Sequence, residues 1–191
     1  MRHDPFFALL LIGILVTSCT DKLSNARAGQ IIKEKYHFPV IEDEMIETGL
    51  FAYERDSLPQ FYYRLQQQGM VAIESLGKGG LFIPTYRFRV TPSAAAKKYV
   101  TMEDSRPVRQ GNSGESMYRS RYKTCEVNFE AIESVREIPA MNAAEVRYRV
   151  RRVSFTPFWS YYLSGSNRMP DTVQIRPFKL IKSNDGWKSS D

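Results

Sequence analysis

Apolar residues fill eleven consecutive positions, Phe6 to Val16, and no later run in the chain is as long. Beyond it the pattern breaks into short periods. Leu58, Phe61, Tyr62 and Leu65 recur at helical spacing behind Ser57-Leu58-Pro59-Gln60. That predicts a helix capped by Ser57, with Gln60 reaching back, Pro59 in its first turn and Gly69 as its left-handed stop. Ile31 to Tyr36 predicts a short helix that ends before Phe38-Pro39. Met70 to Ile73 and Leu81 to Val90, joined by Gly77-Lys78-Gly79-Gly80, read as a hairpin. Thr91-Pro92 then opens a short helix through Tyr99. From Tyr118 the period is two: one long strand to Ile138 with a bend near Ala131-Ile132, and a turn at Pro139 to Ala143. A strand follows in which Val146, Tyr148 and Val150 alternate with Arg147, Arg149 and Arg151. The adjacent Arg151-Arg152 predicts a β-bulge that moves the inward phase to Val153 and Phe155. Thr156 to Asn167 reads as an aromatic connection. Val173 to Ile181 supplies the closing strand or strands, ended by Asn184-Asp185-Gly186.

These elements predict an α+β fold. A small helix-plus-hairpin part over residues 31–100, similar to a winged helix, packs with a mainly antiparallel sheet over 101–191, and 19–191 forms one domain or two small ones. Met102 to Gly114, rich in charge, Gly, Asn, Ser and Pro, is the expected internal boundary.

The apolar run changes the picture most. It has the length of a secretory signal core, follows Arg2 and the free amino group, and carries no polar residue at helical spacing; Asp4 is its discordant neighbour. As a helix it would span about half of a ~30 Å hydrocarbon core, so a stable transmembrane helix is not expected. Val16-Thr17-Ser18-Cys19 behind it resembles the lipobox of bacterial lipoproteins. The resemblance implies a signal peptide over 1–18, lipidation of Cys19 as the mature N-terminus, a tether over 19–30 and a place in the cell envelope. Thr20, rather than Asp, after the cysteine implies the outer membrane, facing the periplasm, where there is one.

Composition then excludes several chemistries. Cys19 and Cys125 are the two cysteines. With Cys19 lipidated, Cys125 is left as a small buried hydrophobe; without the lipid a Cys19–Cys125 disulfide becomes available. Once His3 leaves with the signal, His37 is the remaining histidine, too few for a Cys/His zinc site. Ser120-Arg121-Tyr122-Lys123 and Ser75-Leu76-Gly77-Lys78 match S-x-x-K, without the companion motifs that give that pattern meaning. Glu42-Asp43-Glu44 lacks the alternation of a calcium loop, and Lys78-Gly79-Gly80 the spacing of a phosphate loop. No cofactor, metal or catalytic residue is expected.

The net charge of +6 rests in the mature part, because Arg2 and Asp4 cancel. Arginine lies in alternating rows: Arg87 and Arg89; Arg119 and Arg121; Arg147, Arg149 and Arg151. One reading is a solvated sheet face, with Glu126, Asn128 and Glu130 set opposite the last row. The other is a surface for an anionic envelope component or an acidic partner protein. The envelope assignment removes nucleic acid.

The order Tyr86-Arg87-Phe88-Arg89-Val90-Thr91-Pro92, Lys97-Lys98-Tyr99, Cys125-Glu126-Val127, Val146 to Val150 and Pro157-Phe158-Trp159 is loosely similar to an uncharacterised group of bacterial envelope lipoproteins. That resemblance implies the envelope and no activity. The expected function is a membrane-anchored binding or assembly module without catalysis. The alternatives are an envelope hydrolase using Ser120/Lys123 or His37, and an immunity-type partner of another envelope protein.

Overall fold

A computed structural model describes residues 22–79, 85–110, 116–159 and 172–190, and one strand of 23 residues organises it. In chain order the elements are α1 (Asn25–Tyr36), β1 (Val40–Tyr53), α2 (Gln60–Gln67), β2 (Val71–Gly79), β3 (Thr85–Pro92), α3 (Ala94–Lys97), β4 (Val100–Gln110), β5 (Ser116–Ile138), β6 (Ala143–Val153), β7 (Val173–Ser183) and β8 (Gly186–Ser189). The sheet runs β2-β3-β1-β5-β6-β7-β8, every pair antiparallel, with β4 also on β5. The first half of β5 lies between β1 and β4, and its second half pairs with β6.

This is an essentially all-β fold, and it corrects the α+β expectation. The helix and hairpin over 57–92 do form, yet they make no winged-helix-like unit, because β3 pairs with β1 and so joins the main sheet. Two strands account for the difference. β1 carries Glu42 and Glu44 in the same phase as buried Ile46, which hides its alternation. β4 occupies residues 102–110 of the polar stretch expected to be a boundary, the rest of which lies outside the described residues, and its pairing with β5 outweighs its composition. Residues 25–30, expected in the tether, form the first half of α1, capped by the Ser24 side chain. At α2 the cap position is Pro59 with no side-chain bond, so Ser57 does not cap it. Gly69 does supply the left-handed stop, at φ +70°.

Two apolar clusters fill the inner face. Ala28, Ile31 and Ile32 of α1 pack with Val127, Val146, Val150 and Leu180. Leu58 together with Tyr62 and Leu65 of α2 pack with Ile46, Phe51, Val71, Phe88 and Val90. β5 feeds both. A register shift opposite Glu42 and Asp43 sets Thr124 and Cys125 side by side, both fully buried, between Tyr122 of one cluster and Val127 of the other. Register shifts also occur on β5 around Phe129/Ala131 and Ile132/Ser134, where the bend was expected. No shift occurs at Arg151-Arg152, so Arg152 keeps the inward phase of Val150.

Candidate functional site

The outer face of the sheet collects the arginine rows, because in each row they alternate with buried Phe88 and Val90, Tyr122, or Val146, Tyr148 and Val150. Most meet a carboxylate. Arg119 donates to Glu47 Oε1 from Nε at 2.9 Å and Nη2 at 2.7 Å. Arg121 Nη1 lies 2.7 Å from Asp43 Oδ1, whose second oxygen accepts from Thr101 at 2.7 Å. Arg89 pairs with Glu74 at 2.9 Å, and Arg149 with Glu133 at 2.5 Å. Arg151 pairs with Glu130. The acids opposite the last row are thus Glu130 and Glu133, while Glu126 is held by Lys123 at 2.5 Å. Arg147, exposed opposite Ser134 and Pro177, makes no ion pair among the described residues. Arg87 is half-buried between Ala52 and Gly77. The rows therefore interleave with acid instead of merging into one cationic patch.

Exposed apolar residues lie opposite Arg149 (Ile175) and Glu126 (Ile41), but one rung places two of them about an arginine. Cross-strand register aligns Met45 of β1, Arg121 of β5 and Met102 of β4, and the two methionines are 39% and 54% exposed. A cleft of 370 Å³ opens beside it between β1 and α2, lined by Met45, Glu47, Pro59, Phe61 and Arg119 among others.

The inner face holds a cluster that has no counterpart among the sequence expectations. Glu42 Oε2 accepts from Arg152 Nε at 2.7 Å, and Oε1 accepts from Arg176 Nη2 at 2.5 Å. Arg152 lies over the Trp159 ring at 5.4 Å. Burial pushes the Glu42 carboxyl up, but the hydrogen bonds and charges of Arg152 and Arg176 outweigh it and hold the group below its ordinary range. Cys125 Sγ lies 3.5 Å from Glu42 Oε2, and burial with that negative charge pushes the thiol up to about 11. Tyr148 is pushed up to about 12, by burial first and then by Tyr36. The bulge expected at Arg151-Arg152 hid Arg152, which unbroken alternation with Val146, Tyr148 and Val150 places inward. Its partner Glu42, 110 residues away, was not legible either.

The candidate catalytic groups are kept apart. Ser120 aligns with buried Ile46, whereas Lys123 aligns with Asp43 and bonds Glu126, so the two stand on opposite faces of β5. His37 is the exposed left-handed residue after α1, at φ 50°, its N–H donating to Lys33 O. Ser75 and Lys78 align with Phe88 and Tyr86, and Lys78 Nζ sits 5.6 Å over the Tyr86 ring. Among the described residues no group of three His, Cys, Asp or Glu is gathered as a metal site, and no helix is long and apolar enough to cross a membrane. Cys19 lies outside the described residues.

Comparison with known proteins finds no match among family models, curated proteins or solved structures.

Proposed function

We propose that this chain is a lipid-anchored envelope protein whose domain binds or braces a protein partner at the membrane surface, without catalysis. The anchor is the lipobox cysteine, Cys19. The binding surface is the outer sheet face around the Met45–Arg121–Met102 rung. That rung carries the proposal: two exposed methionines flank an arginine, with the Arg119–Glu47 and Arg121–Asp43 pairs at its border. Methionine and arginine are enriched in protein interfaces, and methionine adapts its shape to a partner. The cleft between β1 and α2 adds a recess for an anchoring side chain. A polyanion is disfavoured as the partner, since Glu47, Asp43, Glu74, Glu130 and Glu133 already neutralise arginines of all three rows.

A photocrosslinker at Met102, compared with one at exposed Gln67 of α2, tests the surface in intact envelopes. The expected result is one discrete protein adduct from position 102 that Met45→Asp abolishes. Equal labelling from both positions would overturn the assignment, and adhesion to anionic vesicles relieved by Arg147→Ala would replace it with an anion surface. The anchor is tested separately, by the acyl mass on the Cys19 peptide and release of Cys19→Ala from membranes.

A further inference from the structure

The hairpin between β5 and β6 ends in an unusual tip. Ile138-Pro139-Ala140-Met141 places four apolar residues in succession where a turn normally carries polar ones; the last three are exposed, Met141 at 71%. The tip does not stand alone. The β7–β8 turn lies at the same end of the sheet, tied by Lys182 N–H to Asn142 O at 2.7 Å. Ile181 there is 38% exposed, and Lys182 Nζ is 6.0 Å over the Trp187 ring. Arg136 is exposed opposite Glu145, and Asp185 sits in the β7–β8 turn. An apolar point with a half-buried tryptophan and a lysine behind it matches the chemistry of the bilayer interface, where aromatic rings and long cationic side chains settle.

The start of the domain falls at this end as well. Leu23 is buried, and its N–H donates to Glu137 Oε1 at 2.6 Å, one residue before Ile138. Cys19 is four residues earlier in sequence, so covalent geometry keeps it within about 14 Å of Leu23. Resting on the lipid-anchor reading above, we infer that the Pro139–Met141 tip inserts into the bilayer that holds the Cys19 lipid and orients the domain on the membrane. So short a tether makes the contact intramolecular, and a weak apolar insertion then suffices. β5 rises from that end, 23 residues long, and carries the Arg121 rung up to about 55 Å along the strand from Ile138. The membrane tip and the partner-binding rung thus occupy different ends of one strand.

The test uses the full-length lipidated protein in phosphatidylethanolamine–phosphatidylglycerol vesicles. Cys125 is fully buried, so a fluorophore can be directed to Met141→Cys, with Asp56→Cys in the β1–α2 connection as control. The expected result is a blue shift and loss of most iodide quenching at position 141, with the label at 56 fully quenched. A second label, Asn184→Cys, should be protected likewise and lose that protection when combined with Met141→Asp, while the membrane-bound fraction stays unchanged. Quenching at 141 equal to that at 56 would overturn the insertion and leave the anchor intact. Absence of acyl mass on the Cys19 peptide would overturn the anchor, and the insertion with it.

Discussion

Glu42 is the residue on which the inner face depends. Its carboxylate is about one-fifth exposed and takes hydrogen bonds from two arginines of different strands. Removing the charge leaves Arg152 and Arg176 facing each other over a half-dry cluster. Glu42→Gln is expected to lower stability at neutral pH by about 1–3 kcal/mol, the range for a lost bond to a charged group. The pH sign follows from the depressed pKa. The stabilisation is present above the unfolded value, ordinarily 4.5, and is lost as pH falls through the lower folded value. Chemical denaturation across that range should show the difference between wild type and Glu42→Gln closing below pH 4.5. Cys125 answers to the same neighbour. Buried and raised to about 11, its thiol should resist alkylation at pH 8 in the folded protein and react only in denaturant. Ready labelling under native conditions would contradict the burial.

At the scale of elements, glycine chemistry separates two positions that look alike in sequence. Gly49 lies in β1 at φ +101°, and a Cβ there would come 2.2 Å from the Ser116 carbonyl oxygen. Gly49→Ala must displace backbone between β1 and β5, and a loss above about 2 kcal/mol is expected. Gly29 sits inside α1 with ordinary backbone, and a Cβ there would meet Phe129 Cζ at 3.5 Å, normal contact distance. Gly29→Ala should therefore stabilise by about 0.5–1 kcal/mol through helix propensity. Thermal melts of the two variants should move in opposite directions. The elements also mark what the sequence made legible. β5, β6 and β7 have dense apolar alternation and were readable to within a few residues, as was α2. The pairing of β2 with β3 was expected too, but Gly77 to Gly79, expected as its turn, continue β2 opposite Arg87, Tyr86 and Thr85. β1 was not legible, because its inward Glu42 is satisfied by arginines from β6 and β7, a compensation that no local pattern contains. β4 was not, because a polar strand is stabilised by its neighbour. The site divides in the same way. Alternation put the arginines on one face, but their acidic partners, and the Met45–Arg121–Met102 rung, depend on register between distant strands.

For the whole molecule, the question is whether two apolar clusters make two folding units. The clusters are served by different helices, which favours independence. Against that, β5 runs unbroken through both, β1 pairs with it beside Ile46 of one cluster and Val127 of the other, and the buried Thr124 hydroxyl donates to Glu42 O at the junction. Phe158, fully buried and stacked on Tyr122 at 4.3 Å, belongs to the α2 cluster while the next residue, Trp159, packs against the other, and Thr156 before them donates to Thr124 O through its N–H and to Lys123 O through its hydroxyl. Separating the clusters would expose this junction and break a continuous ladder in mid-strand, so a single cooperative transition is expected. Leu65→Ala, in the cluster under α2, should cost about 2–5 kcal/mol. Trp159 and Trp187, which pack against the other cluster, should report that loss in full. For a chain of this size each kcal/mol corresponds to roughly 2–4 °C, so tryptophan fluorescence and far-ultraviolet dichroism should fall together by the same interval. A fluorescence midpoint that stayed at the wild-type value while the dichroism lost an early step would instead make the α2 cluster a separate unit, able to open on partner binding without disturbing the membrane end.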